Sequence, residues 1–266
     1  MTRLTDVFAP GHPPRFIAFL VAGDPDYLNS VALARTVIDA GADVLEIGMP
    51  FSDPVADGPT IQKADERAIA AGMTPDLLFD MIREIREYSD IPLVLLTYCN
   101  SVYARGVERF YQEAASAGLD GILVVDMPLE ESDPVVRIAR RVGIDPIFLI
   151  AETTSDRRLG HILSRAGGFL YLVSTLGVTG VREELSPEVE ALIARVKKMT
   201  ELPVAVGFGI SRPDQMKSLH AAGADAVIVG SAIVQRVEEQ LRQKEKGWLR
   251  VGDYIRKMKG AIRTEK

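Results

Sequence analysis

Apolar residues in this chain gather into eight runs of strand length, at residues 16–22, 44–49, 91–98, 121–125, 146–150, 169–174, 203–208 and 226–229. Between them the apolar positions recur at helical spacing, over residues 28–40, 60–70 with 75–88, 107–117, 132–142, 155–166, 187–199 and 212–222. The runs are apolar throughout rather than alternating, as a parallel sheet buried on both faces requires. A phrase recurs at the junctions: Ala40-Gly41-Ala42-Asp43, Ala117-Gly118-Leu119-Asp120 and Ala222-Gly223-Ala224-Asp225. Each reads as a helix end, a glycine cap and a polar turn into the next strand, the trace of a repeated βα unit. Eight such units predict an α/β fold, a (β/α)8 TIM barrel over residues 1–266 as one domain. A short extra helix near Leu4 precedes it, and a helical tail at residues 240–266 follows, with Trp248, Val251, Ile255 and Met258 as its apolar side. An open doubly wound sheet is the alternative, but no Gly-x-Gly-x-x-Gly follows the first strand.

Composition narrows the function classes. With 47% hydrophobic and 26% charged residues the chain can bury a sizeable core. A net charge of −6 argues against nucleic acid or an anionic membrane as the main partner. No run approaches a membrane span and the start lacks a signal-like apolar segment. The single cysteine, Cys99, excludes an internal disulfide and fits a cytoplasmic protein. His12, His161 and His220 lack ligand spacing, so no metal is expected.

Barrel chemistry belongs on the loops after the strands. Glycines crowd the last three: Gly177 and Gly180 after strand six, Gly207 and Gly209 around the end of strand seven, and Gly230-Ser231 after strand eight, where a helix opens. Each glycine alone would serve a tight turn. Together on the final strands they describe a phosphate cradle of backbone N–H groups at a helix N-terminus.

Glu46 stands inside an apolar strand, on the face it shares with Val44 and Gly48. If that face looks into the barrel, desolvation raises its proton affinity and suits it to both give and take a proton. A buried cation would make it a structural ion pair instead, but the neighbouring strands offer none. Asp57 precedes a glycine, as turn residues do. Its case rests on the prolines and glycine that stiffen its loop. Phe19, Tyr98, Tyr171 and Phe208 lie in or near strand ends. Packing is their ordinary fate, and together they also suit a flat aromatic substrate.

Residues 45–62 read Glu46-x-Gly48-x-Pro50-Phe51-Ser52-Asp53-Pro54-x-Ala56-Asp57-Gly58-Pro59 through their central part, and this string resembles the signature of the tryptophan synthase alpha chain family. The resemblance continues through Gly23-Asp24-Pro25, Tyr98-x-Asn100, Asp126-x-Pro128, Gly177-Val178-Thr179-Gly180, Gly207-Phe208-Gly209-Ile210 and Gly230-Ser231. Two positions depart from the commoner family pattern, Glu152 where a proline often stands and Thr175 where some relatives carry arginine.

The resemblance implies a lyase that cleaves indole-3-glycerol phosphate to indole and glyceraldehyde 3-phosphate, with Glu46 and Asp57 as its catalytic acids. It places Tyr171 near Glu46, and Phe19, Leu96, Tyr98, Leu123 and Phe208 around the indole, with Ile61 nearby. Gly180, Gly209, Gly230 and Ser231 would hold the phosphate. The implied partner is a pyridoxal-phosphate beta chain in an alpha2-beta2 complex, faced by Pro50, Asp53 and Asn100, with no cofactor in this chain. Two other readings are a different phosphate-binding barrel isomerase or aldolase, and a non-catalytic activating subunit. A Schiff-base aldolase needs a lysine inside the barrel, and no predicted strand contains one.

Overall fold

The structure, a computed structural model, describes residues 2–9, 11, 13–173, 187–207, 209–245 and 247–262. Eight strands run β1 Arg15–Val21, β2 Val44–Gly48, β3 Leu93–Thr97, β4 Gly121–Val124, β5 Asp145–Ala151, β6 Leu170–Val173, β7 Val204–Gly207 and β8 Ala226–Val229. They pair in chain order, each parallel to the next, and β8 returns to β1 to close the barrel. The helices are α1 Arg3–Val7, α2 Tyr27–Asp39, α3 Pro59–Ala70, α4 Pro75–Tyr88, α5 Cys99–Arg105, α6 Val107–Ala117, α7 Asp133–Arg141, α8 Asp156–Leu163, α9 Pro187–Lys197, α10 Pro213–Ala221, α11 Ser231–Arg242 and α12 Leu249–Ala261. This is the predicted TIM barrel.

Alternation along the strands divides the apolar residues into two cores. Ala18, Leu20, Leu45 and Ile47 point outward to the helices. Ile17, Val44, Val94, Leu123, Ile147, Phe169 and Ala205 point inward. Helix α1 plugs the N-terminal end: Leu4 is fully buried in the interior core, and the Phe8 ring lies 5.8 Å from that of Phe169. Burying a leucine this completely contributes about 1.5–3 kcal/mol. The opposite end is left for the strand-to-helix loops.

The recurring phrase has a physical cause beyond its glycine, which adopts positive φ in all three copies. In each, the aspartate accepts a hydrogen bond from the backbone N–H of a neighbouring strand: Asp43 from Phe16 at 2.6 Å, Asp120 from Leu93 at 2.9 Å, Asp225 from Val204 at 2.7 Å. Each carboxylate also meets a cation: Lys259 and Arg15 at Asp43, Arg86 at Asp120, Lys197 at Asp225. Charge-assisted bonds of this kind pin the strand register at the closed end.

Two expectations need correction. Tyr98 is not in a strand: β3 stops at Thr97, and Tyr98 caps α5. Helix α5 was not foreseen, and Asn100 sits on it rather than in a loop. The expected helical tail is the end of α11 followed by α12. Gln240, in the last turn of α11, clasps the break before α12 with its side chain, donating to the Gly247 carbonyl at 3.1 Å and accepting from the Val251 N–H at 3.3 Å.

Candidate active site

Glu46 occupies the middle of β2, level with Phe19 on β1 and Val94 on β3. It is wholly buried, and neither carboxylate oxygen has a hydrogen-bond partner. Burial first, and then the nearby Asp57, push its pKa up to about 8. At neutral pH it therefore carries a proton that no protein group competes for, as a general acid requires. The expected absence of a cation holds among the described residues.

The loop after β2 carries Asp57 over the barrel mouth and is braced from several sides. The Tyr98 hydroxyl donates to Asp57 Oδ2 at 2.6 Å and accepts from the Ala56 N–H at 3.2 Å. The Phe51 ring stacks on Tyr98, with centroids 5.0 Å apart. The Gln62 side chain donates to the Asp57 carbonyl at 2.8 Å. Burial raises the Asp57 pKa, and the Tyr98 bond opposes that by favouring the carboxylate. Tyr98 is thus a holder of the acid as well as a candidate pocket wall, a role visible only once β3 and the loop lie side by side.

Tyr171 on β6 is buried inside the barrel, and burial followed by the fields of Glu46 and Asp57 keeps its hydroxyl protonated. The charges of Glu46 and Asp57 thus both act on Tyr171, and that of Asp57 on Glu46. Room for the rings comes from glycines: a Cβ at Gly207 would stand 2.6 Å from the Tyr171 ring, and one at Gly48 would stand 2.7 Å from the Phe19 ring. Phe19 also lies against Gly230, in a cluster with half-buried Ile61 and Leu96. Leu123 is in the interior core. Phe208 lies outside the described residues.

Gly209 and Gly230 follow adjacent strands, the same number of residues beyond the paired rungs Val206 and Val227. Gly209 has φ +70°, Gly230 caps α11, and Ser231 begins that helix and is exposed. The first N–H groups of a helix lack intrahelical partners, so this corner of the mouth offers donors and positive partial charge to an anion. Gly177, Gly180 and Thr175 lie outside the described residues.

Pro50 is half-buried, and Asp53 and Asn100 are exposed. Val55 and Tyr103, which the sequence reading passed over, are exposed hydrophobics on the Asp57 loop and α5. The N-terminus of α5 is tied down where the Cys99 N–H donates to Asp126 at 2.7 Å, which accounts for one residue of the Asp126-x-Pro128 motif. Among the described residues no cluster of His, Cys, Asp or Glu has the geometry of a metal site, and no helix is long and apolar enough to cross a membrane. None of the eight strands carries a lysine.

Comparison with known proteins bears on this geometry. A family model described as tryptophan synthase alpha chain matches residues 11–263. The tryptophan synthase alpha chain of Methanoregula boonei is 56% identical over 241 residues, covering 91% of each chain. The crystal structure of tryptophan synthase subunit alpha from Legionella pneumophila superposes with a TM-score of 0.90 at 36% identity, covering 98% of each chain. A chain of the tryptophan synthase complex from Pyrococcus furiosus does so with a TM-score of 0.85 at 36% identity, covering 93% of this chain and 98% of that one. With its closed eight-stranded barrel and two acids at one mouth, the chain belongs to the tryptophan synthase alpha chain family.

Proposed function

We infer that this protein is the lyase of its family, cleaving indole-3-glycerol phosphate to indole and glyceraldehyde 3-phosphate, with Glu46 and Asp57 as the acids that carry the reaction. The observation that bears most weight is Glu46: a buried, protonated, unpartnered carboxyl inside the barrel, sharing its space with Asp57 and Tyr171.

The carbon–carbon bond at indole C3 breaks as a retro-aldol. Glu46 gives its proton to C3, and the ring nitrogen's electron pair assists, so positive charge builds on nitrogen. Asp57, held by Tyr98, stabilises that charge. As the C3–carbon bond breaks, its electrons return to the ring. The hydroxyl on the departing carbon gives its proton to the carboxylate of Glu46 and becomes the aldehyde. The catalyst ends in the protonation state in which it began. Acid–base assistance of this type contributes about 10²–10⁴-fold.

Phe19, Ile61, Leu96, Tyr98, Leu123 and Phe208 wall the ring in this reading, and Gly180, Gly209, Gly230 and Ser231 anchor the phosphate. The anchor supplies orientation rather than chemistry, because its contacts change little as the bond breaks. The partner is a tryptophan synthase beta chain in an alpha2-beta2 assembly, bound through the face of Pro50, Asp53 and Asn100. That chain carries the pyridoxal phosphate; this one needs no cofactor. A cytoplasmic, one-domain enzyme completes the reading.

Spectroscopic measurement of indole release by the isolated chain, and again with a purified beta chain, tests it. Release from substrate, lost in Asp57→Asn and raised by the beta chain, is the expected result. Equal release by wild type and Asp57→Asn would remove Asp57 from the mechanism.

A further inference from the structure

The paired rungs of β7 and β8 end, among the described residues, at Val206 and Val227, before Gly209 and Gly230 are reached. Beyond that rung the separation of the two following segments is left to side chains outside the barrel. The Ser211 and Arg212 N–H groups donate to the Gln215 side chain of α10 at 3.0 and 3.1 Å. The Ser211 carbonyl accepts from the Tyr254 hydroxyl of α12 at 3.0 Å. Tyr254 is buried, and Arg236 of α11 lies on the face of its ring, the guanidinium carbon 3.6 Å from the centroid. Arg236 in turn donates to the Ala232 carbonyl at 2.6 Å, in the first turn of α11. It makes no ion pair among the described residues, so the ring and that carbonyl hold it. Ser211, Tyr254, Arg236 and Ala232 thus form one chain of contacts. It runs from the loop that carries Gly209 to the helix that opens at Gly230.

We propose that Tyr254 is a positioning residue for the phosphate corner: its hydroxyl fixes the loop after β7, and its ring, through Arg236, fixes that loop against the start of α11. The inference rests on the phosphate reading of Gly209, Gly230 and Ser231.

Tyr254 touches no substrate in this reading and acts through Ser211. An anion between two segments is held well only when donors from both point at it together, and a segment free to drift lowers the fraction of molecules ready to bind. A phenylalanine would satisfy the packing of α12 equally well. The hydroxyl is what reaches the Ser211 carbonyl, and burial keeps it protonated and therefore a donor. On the other side, the ring's quadrupole attracts the guanidinium, most strongly where water is excluded.

The test is calorimetric titration of wild type and Tyr254→Phe with two probes, glycerol 3-phosphate for the anchor and indole for the ring pocket. Tyr254→Phe keeps the Arg236 stack and loses only the bond to Ser211. Its affinity for glycerol 3-phosphate should fall roughly fivefold, the worth of one hydrogen bond. Its affinity for indole should stay within about twofold, and KM for the phosphorylated substrate should rise with kcat unchanged to the same margin. Tyr254→Leu, which also gives up the stack, should lose more on the first probe and no more on the second. Equal losses on both probes, or none on either, would overturn the role of Tyr254. Thermal melts monitor folding, and Arg236→Met, which leaves the hydroxyl in place, makes the same comparison should the Tyr254 variants unfold. Failure of wild type to bind glycerol 3-phosphate is a different result, and it would count against the phosphate reading itself.

Discussion

Tyr98 donates its hydroxyl proton to Asp57 across a 2.6 Å hydrogen bond that joins the end of the third strand to the loop after the second. The bond takes up one oxygen of the carboxylate, and the other has no hydrogen-bond partner among the described residues. A hydrogen bond to a charged group is worth about 1.5–3 kcal/mol.

Tyr98→Phe keeps the ring that stacks on Phe51 and deletes only the hydroxyl. Its kcat/KM for indole release should fall roughly tenfold to a hundredfold, the bond's worth expressed as rate. Wild-type kcat/KM in this variant would show that Asp57 is positioned by other contacts.

Glu46→Gln should lose turnover by roughly a hundredfold or more while remaining folded. Its stability also has a signature. Glu46 holds its proton up to about 8 when folded, against an ordinary value of 4.5. Between those values the folded state binds more protons than the unfolded one, so wild-type stability declines as pH rises through that window and levels off above it. The variant lacks this decline. Relative to wild type it should match at about pH 4 and gain a few kcal/mol by about pH 9. Parallel melting curves across the range would mean that Glu46 is ionised when folded.

The same titration predicts a rate profile. Glu46 must start protonated, so kcat/KM should fall on the alkaline side of about pH 8. A profile flat to about pH 10 would assign the proton to another group.

Gly207→Ala places a methyl 2.6 Å from the ring of the buried Tyr171. Overpacking of this kind costs about 1–3 kcal/mol. A lowered Tm together with reduced kcat is expected. An unchanged Tm would mean that Tyr171 has room to retreat.

Gly209→Val combines a φ of +70° with a branched side chain at the proposed phosphate corner. KM for the phosphorylated substrate should rise more than kcat falls. A collapse of kcat at constant KM would place Gly209 in the chemistry instead.

Chain order and burial pattern were legible in the residues themselves. Fully apolar runs spaced by helical periodicity lead to a parallel barrel because strands covered on both faces have no polar side to show. Glu46 is conspicuous for the same reason, as the one charge within such a run, and no cation was in reach of it on either neighbour. The recurring aspartates were read as turns, whereas Asp43, Asp120 and Asp225 also hold the N–H groups of strands far earlier in the chain. That pairing has no local periodicity to betray it. Nor does Tyr98 bonding to Asp57, or Phe19 filling the space that Gly48 vacates. Period and polarity along the chain determined the elements and their order. Which side chains meet at the mouth was decided only by closure of the barrel, because the free energy of each contact depends on distances between residues that the chain itself keeps far apart.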